Sequence, residues 1–348
     1  MGFGLKNTEA EMNEINKCYL VVTDYIPVNS GKDVSDELQA LILANPHKTL
    51  FFPDGEYLLS KPIATPGRPA NAVSLRLADF AIIRPTDDYN SDEALIRLGA
   101  AEPWNDIGTP GSNYGLQGGC IDCRGIAKAV SIDSGRETYI RNLSIKNSIV
   151  GIHIKRGANN GSSDADVRDV NIVGNNSKDS IGVLVEGFDN TIANMRIASV
   201  HTGVDFRSAG NCISNVHPLY IYGGDCADVE VYKTSCAFRD IFGNNWYENC
   251  YSDQFAIGFW SNESRRVYNN CFAMWYSPKG GIGTGFYFEG KFNCIIRSAT
   301  ISMRGDMDTS FMVCTEDGGY GIVENPIMDE NNCKCKQYKD YLVGKVIG

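Results

Sequence analysis

The sequence predicts an all-β chain wound as a solenoid of parallel strands, a parallel β-helix, and three observations carry that prediction. Between residues 151 and 301 a small residue followed by apolar-x-apolar recurs, and twelve positions after it stands a corner residue, in most coils Asn: Gly182 to Asn194, Gly203 to Asn215, Ala237 to Asn249, Gly258 to Asn270 and Gly285 to Arg297. Counted from Gly151, successive small residues are 31, 21, 34, 21 and 27 apart, a base period near 21 with insertions at one corner. The runs inside each repeat alternate with period two and lack helical spacing, which makes them short strands. One such coil cannot bury its inner face alone, and stacking on its neighbours does so.

The elements follow in chain order. Residues 33–44, D-V-S-D-E-L-Q-A-L-I-L-A, combine helical apolar spacing with acidic and Ser/Asp start signals, and an amphipathic helix there would close the open end of the solenoid. Residues 49–59, T-L-F-F-P-D-G-E-Y-L-L, read as strand, turn and strand. We therefore expect an N-terminal segment and cap at 1–45, the solenoid at 46–305, and a C-terminal cap or tail at 306–348, together one domain. At the recurring corner an amide side chain can bond its own turn and the corner residue one rung away, at the roughly 4.8 Å strand spacing. Asn142, Asp169, Asn194, Asn215, Asn249 and Asn270 form such a ladder in this reading. Leucine-rich repeats have a similar period, but their L-x-x-L-x-L framework is absent.

With Val22-Thr23-Asp24-Tyr25, the 33–44 segment, the F-F-P-D-G-E-Y run at 51–57 and G-G-C-I-D-C-R-G at 118–125, the chain resembles the right-handed parallel β-helix proteins of the pectin lyase-like superfamily. That group includes pectate lyases, polygalacturonase-type glycosidases and phage tailspikes. The resemblance spans roughly residues 20–305 and implies the fold more specifically than any reaction. The G-H-G and R-I-K segments of polygalacturonase-type enzymes are missing, and the only Asp-Asp, Asp87-Asp88, precedes the main repeat. No catalytic residue of either enzyme group transfers by motif.

Composition limits function. Thirty-two basic against 42 acidic residues give a net charge of -10 without a Lys/Arg-rich run, which argues against nucleic acid and against long polyanions unless calcium or local Arg/Lys reverse the field. No apolar run approaches a membrane span of roughly 18 residues. Residues 1–20 lack the apolar core of a secretion signal, so the chain reads as cytoplasmic as written, and as extracellular if a leader was removed. The 12 cysteines are scattered and read as reduced, with Cys250 and Cys271 inside the coils; Cys120-x-x-Cys123 with Cys333-x-Cys335 lacks zinc-ribbon spacing, and no metal site is assigned.

The chemistry lies in the alternate, outward residues of the repeat. The first outward column is His153, Leu184, Asp205, Arg239, Trp260 and Tyr287, and the second is Lys155, Glu186, Arg207, Ile241, Asn262 and Glu289. Carboxylates, guanidinium groups and aromatic rings on one face match a sugar-binding groove. Glu186 and Asp205, on adjacent rungs, are placed about 8 Å apart by strand geometry, within the roughly 6.5–9.5 Å of an inverting glycosidase pair. The same charges also read as exposed ion pairs. Asp240 falls inward in this register, which implies a shifted or bulged rung. The long insertion at 223–233 is expected to overhang the groove with Asp225 and Asp228.

The leading reading is a glycoside hydrolase acting on a poly- or oligosaccharide, with Asp205, Glu186 and Arg239 at the reaction. Trp260, Tyr287, Arg207, Glu289, Lys155, His153, Asp225 and Asp228 then contact substrate. The alternatives are a polysaccharide lyase using calcium with Arg239 or Arg207 as base, and a glycan-binding β-helix without turnover, expected as a homotrimer. Calcium enters only the lyase reading, and no other cofactor is expected.

Overall fold

The computed structural model describes residues 19–102, 114–156, 162–262, 264–276, 282–303 and 308–328. Each coil has three extended limbs. Among the described residues, ten parallel strands stack in one sheet, from Ile63–Pro66 to Asp308–Cys314, and 21 strands form the other two limbs, which meet at the corner. The strand Thr191–Ala198 shows how: its first half pairs with Asp166–Arg168, its second with Asn171–Gly174, and Asn194 between them bends the chain at φ 54°.

This corner is the predicted ladder. Asn142, Asp169, Asn194, Asn215, Asn249 and Asn270 all have φ between 48° and 58°, a left-handed conformation that Asn and Asp tolerate better than other side chains. Asn215 donates to Asn194 at 3.0 Å, Asn194 to Asp169 at 3.2 Å, and Asn270 to Asn249 at 2.6 Å. In the Gly285 coil the left-handed residue is Ser298 and not Arg297, because the connection after Glu289 is one residue longer.

The small residues that start the repeat sit where coils nearly touch. A Cβ on Gly203 would lie 2.4 Å from the Ala237 carbonyl oxygen, so that strand start admits no side chain. The interior is filled by the expected apolar residues, with Cys250 and Cys271 buried and free among them. Trp246 and Tyr276 face out while Tyr247 and Trp275 face in.

The predicted cap is the helix Ser35–Ala44, which buries Leu38 and Ile42. Its Gln39 side chain bonds both Ala64 N, at 2.8 Å, and Ala64 O, at 3.0 Å, and so occupies backbone groups of the sheet's terminal strand. Asp33 ties the helix to the first coil: it accepts from Ser35 N at 3.0 Å and from Ser60 N at 2.9 Å. Burial alone would raise the Asp33 carboxyl, but the hydrogen bonds from Ser35 and Ser60 hold it down at about 2. Coils continue past residue 305, with strands Asp308–Cys314, Ile322–Glu324 and Ile327–Met328 in register with the preceding ones. Cys333 and Cys335 lie outside the described residues. Among those described, no helix is long and apolar enough to cross a membrane.

Two interior features went unread in the sequence. Asn190, Asn211 and Asn245 form a second, fully buried amide ladder, with side-chain bonds of 2.9 and 3.0 Å. It ends on Asp240, to which Asn245 donates at 2.9 Å. Asp240 does point inward, but its rung is neither shifted nor bulged: Phe206 pairs with Asp240 and Asp205 with Arg239 in regular register. Its charge is met inside the core by Arg266 at 3.0 Å, both side chains being at most 1% exposed.

Candidate functional site on the ten-stranded sheet

The outward residues of the ten-stranded sheet stack as the repeat predicts. His153, Leu184, Asp205, Arg239, Trp260 and Tyr287 are register partners on six successive strands. The second column stands one step further along the strands. Glu186, Arg207 and Ile241 there donate backbone N–H to residues 154, 185 and 206 of the preceding coils, and Asn262 pairs with Glu289.

The centre of the face is a linked set of charges. His153 Nε2 is 2.9 Å from Glu186 Oε2. Arg207 reaches Glu186 with one terminal nitrogen at 3.5 Å and Asp205 with the other at 2.9 Å. One guanidinium can span two carboxylates only if their bonded oxygens lie within about 9 Å of each other, which sets an upper bound on the separation of the pair at the upper end of glycosidase geometry. Arg239 approaches Asp205 from the next rung at 3.3 Å and covers the Trp260 ring at 5.2 Å from its centroid. Access differs between the two acids. The Glu186 side chain is 31% exposed and that of Asp205 only 3%. Burial holds the His153 imidazole below its ordinary value, with the Glu186 bond opposing.

No protein-family model and no curated sequence matches the chain. Solved structures do. A double mutant of the tailspike protein of E. coli bacteriophage HK620 superposes with a TM-score of 0.69 at 11% identity, over 96% of this chain and 66% of that one. Endo-xylogalacturonan hydrolase from Aspergillus tubingensis matches with a TM-score of 0.66 at 12% identity, covering 95% of this chain and 100% of that one. Alginate lyase from Paenibacillus sp. matches with a TM-score of 0.54 at 14% identity, over 88% and 96%. The chain has the right-handed parallel β-helix fold. At these identities the likeness is one of fold, and this chain spans about two-thirds of the tailspike's length.

On this β-helix the face extends further than the repeat from Gly151 suggests. Arg97 and Ser131 continue the first column above His153. Asp133 is 2.6 Å from Arg97 and 3.1 Å from Lys155, which also contacts Glu93. Arg97 lies within, and Glu93 and Asp133 flank, strands whose apolar runs precede Gly151, where the repeat is counted from. At the other end Tyr287 is half-buried and Glu289 exposed, while Asn262 turns away, accepting from Arg266 at 2.7 Å.

The 223–233 insertion does not carry its acids to these columns. It enters at the N-terminal ends of the sheet's strands, whereas Glu186 and Arg207 follow the C-terminal ends. Asp228 caps the helix Val229–Lys233 through Glu230 N, and Asp225 accepts from Lys178 N at 3.2 Å. The Asp228 contact is the short-range turn bonding that is the ordinary use of Asp in a loop, and the Asp225 contact ties the insertion to the loop before the strand Ile181–Val185. Among the described residues no group of three or more His, Cys, Asp or Glu is placed to hold a metal ion.

Proposed function

We propose that this β-helix binds a poly- or oligosaccharide along the outer face of its ten-stranded sheet and hydrolyses it, with Glu186 and Asp205 as the carboxylate pair. The observation that carries the reading is the single Arg207 guanidinium spanning both acids, with Glu186 reaching solvent and Asp205 behind it. In a single displacement one carboxyl group gives a proton to the leaving glycosidic oxygen while the other takes one from the attacking water. Glu186, the accessible member, takes the donor position beside His153. Asp205 takes the water-facing position once Arg207 turns toward bound sugar, and Arg239 and Tyr287 contact flanking residues of the glycan. Similar folds in proteins named as a hydrolase, a lyase and a tailspike in complex with a pentasaccharide support a carbohydrate partner.

The test is a screen of glycans for released reducing ends, with and without chelator. Glu186→Gln should then lower turnover by roughly 10²-fold or more without changing the fold, because positioned proton transfer contributes on that scale. Unaltered turnover in that variant would remove Glu186 from the reaction. A chelator-sensitive, ultraviolet-absorbing unsaturated product would favour the calcium-dependent lyase instead. One observation favours a second reading, binding without turnover: Asp205 is 3% exposed and held by two guanidinium groups. That reading holds if glycan binds and no bond is cleaved, and a trimer by light scattering would accord with it.

A further inference from the structure

We propose that Asp205 is the charge filter of this groove: by neutralising Arg207 and Arg239 together it makes the face select neutral, hydroxyl-rich glycans and refuse polyuronates. The inference rests on the reading of this face as a glycan groove, and it concerns which glycans enter and not how they are cleaved.

The cations of the two outward columns are Arg97, Lys155, Arg207 and Arg239, and each has a carboxylate. Arg97 and Lys155 share Asp133, at 2.6 and 3.1 Å. Arg207 and Arg239 share Asp205, at 2.9 and 3.3 Å. Glu93, Glu186 and Glu289 add three further acids on the same face, so that with Lys128 at the start of its strand five acids meet five bases. A polyuronate brings a carboxylate with every sugar unit, and to bind here it must displace an existing partner or meet an acid. Specificity built from paired charges and like-charge rejection works in this way. A neutral sugar meets no such barrier, because its hydroxyl groups bring no charge to compete with Asp205 for the guanidinium groups or to meet the acids.

Asp205 differs from the other acids in two respects. It alone lies between two guanidinium groups that are each 39% exposed, and its own side chain is 3% exposed, so ligand can reach the cations but scarcely the anion that cancels them. Removing its charge leaves Arg207 with only Glu186, and leaves Arg239, seated on the Trp260 ring, with no carboxylate among its contacts. An unpaired arginine against an indole then offers a carboxylated sugar both a charge-assisted bond and an apolar surface.

The experiment measures binding, which an acid/base role for Asp205 does not govern. Polygalacturonate and alginate, each in native and carboxyl-reduced form, are titrated against wild type, Asp205→Asn and the double variant Asp205→Asn/Arg239→Gln. Wild type should bind a reduced form with an affinity nearly flat between roughly 0.05 and 0.5 M salt, where screening changes most, and bind the native forms more weakly. Asp205→Asn should tighten native, acidic glycan by about tenfold or more at low salt and lose that gain at high salt. The double variant should lose it at any salt. Wild type preferring the native acidic forms, or Asp205→Asn leaving the ratio of acidic to reduced affinity unchanged, overturns the proposal. If Asp205→Asn does not fold, the wild-type preference and its salt dependence decide alone. Binding of neither form by any folded variant refutes the glycan groove itself, and the filter with it.

Discussion

The Asp240–Arg266 pair offers the sharpest test of the interior, because the two single substitutions should cost different amounts. Both side chains are at most 1% exposed, and removing one partner of such a pair typically costs about 3–5 kcal/mol. Arg266→Met leaves Asp240 with four donors, namely Phe242 N, Gly243 N, Asn245 Nδ2 and the Tyr247 hydroxyl, between 2.9 and 3.2 Å. That solvation places the loss near the lower end, about 3 kcal/mol. Asp240→Leu strips the only carboxylate from a guanidinium whose Nε already lacks a partner, and whose remaining bonds are to neutral oxygens of residues 240, 262 and 264. It also unseats Asn245 at the end of the interior amide ladder, so the loss should approach about 5 kcal/mol. The assay is urea unfolding followed by tyrosine and tryptophan fluorescence at neutral pH, with the double variant closing the cycle. Because the double variant leaves no uncompensated charge, it should be less destabilised than the two single losses added together. A loss under about 1 kcal/mol for Asp240→Leu would mean that the pair is solvated, and the account of the core around it would fall.

Three further outcomes are expected. Asn249→Ala should lower stability by about 1 kcal/mol through the lost bond from Asn270, whereas Asn249→Gly should recover part of that because φ is 53° there; equal losses would make the ladder bond, and not the left-handed corner, the whole effect. Cys250 and Cys271, buried and free, should resist alkylation in the native protein and react on unfolding; a disulfide to either would contradict the inward stack. Burial holds the imidazoles of His153 and His201 below their ordinary value, so the unfolded chain takes up protons near pH 6.5 that the folded chain refuses. Their stabilising effect is therefore full above about pH 6.5 and lost as pH falls toward the folded values, and a urea midpoint that rises between about pH 8 and 5.5 would contradict this.

Much of this molecule can be read from spacing alone. Gly203 with Asn215 and Ala237 with Asn249 give the same register twice, and parallel pairing then brings Asp205 beside Arg239 without further information. What spacing does not reveal is how an offending residue is accommodated. Asp240 looks like a register error because its partner, Arg266, belongs to a different limb of the next coil, 26 residues on. The amides of Asn190, Asn211 and Asn245 stand eight positions after Gly182, Gly203 and Ala237, in step with the repeat, but spacing does not reveal that they turn into the core and bond one another. Loop chemistry was the least legible. Asp225 and Asp228 are equally suited to a groove or to a turn, and only the packing of the insertion decides between them.

The stacking of one strand per coil also makes this scaffold a ruler. Ten strands in the exposed sheet set nine intervals of roughly 4.8 Å, an edge about 43 Å long, and a ligand lying across the strands is measured in coils and not in residues. The 34-residue step from Gly203 to Ala237 advances the ruler by the same one division as the 21-residue step before it, since Asp205 and Arg239 remain direct neighbours. Corner insertions can therefore change what borders the face without changing its graduation. Duplicating or deleting one whole coil should lengthen or shorten the reach by one strand spacing and leave each rung's chemistry in place.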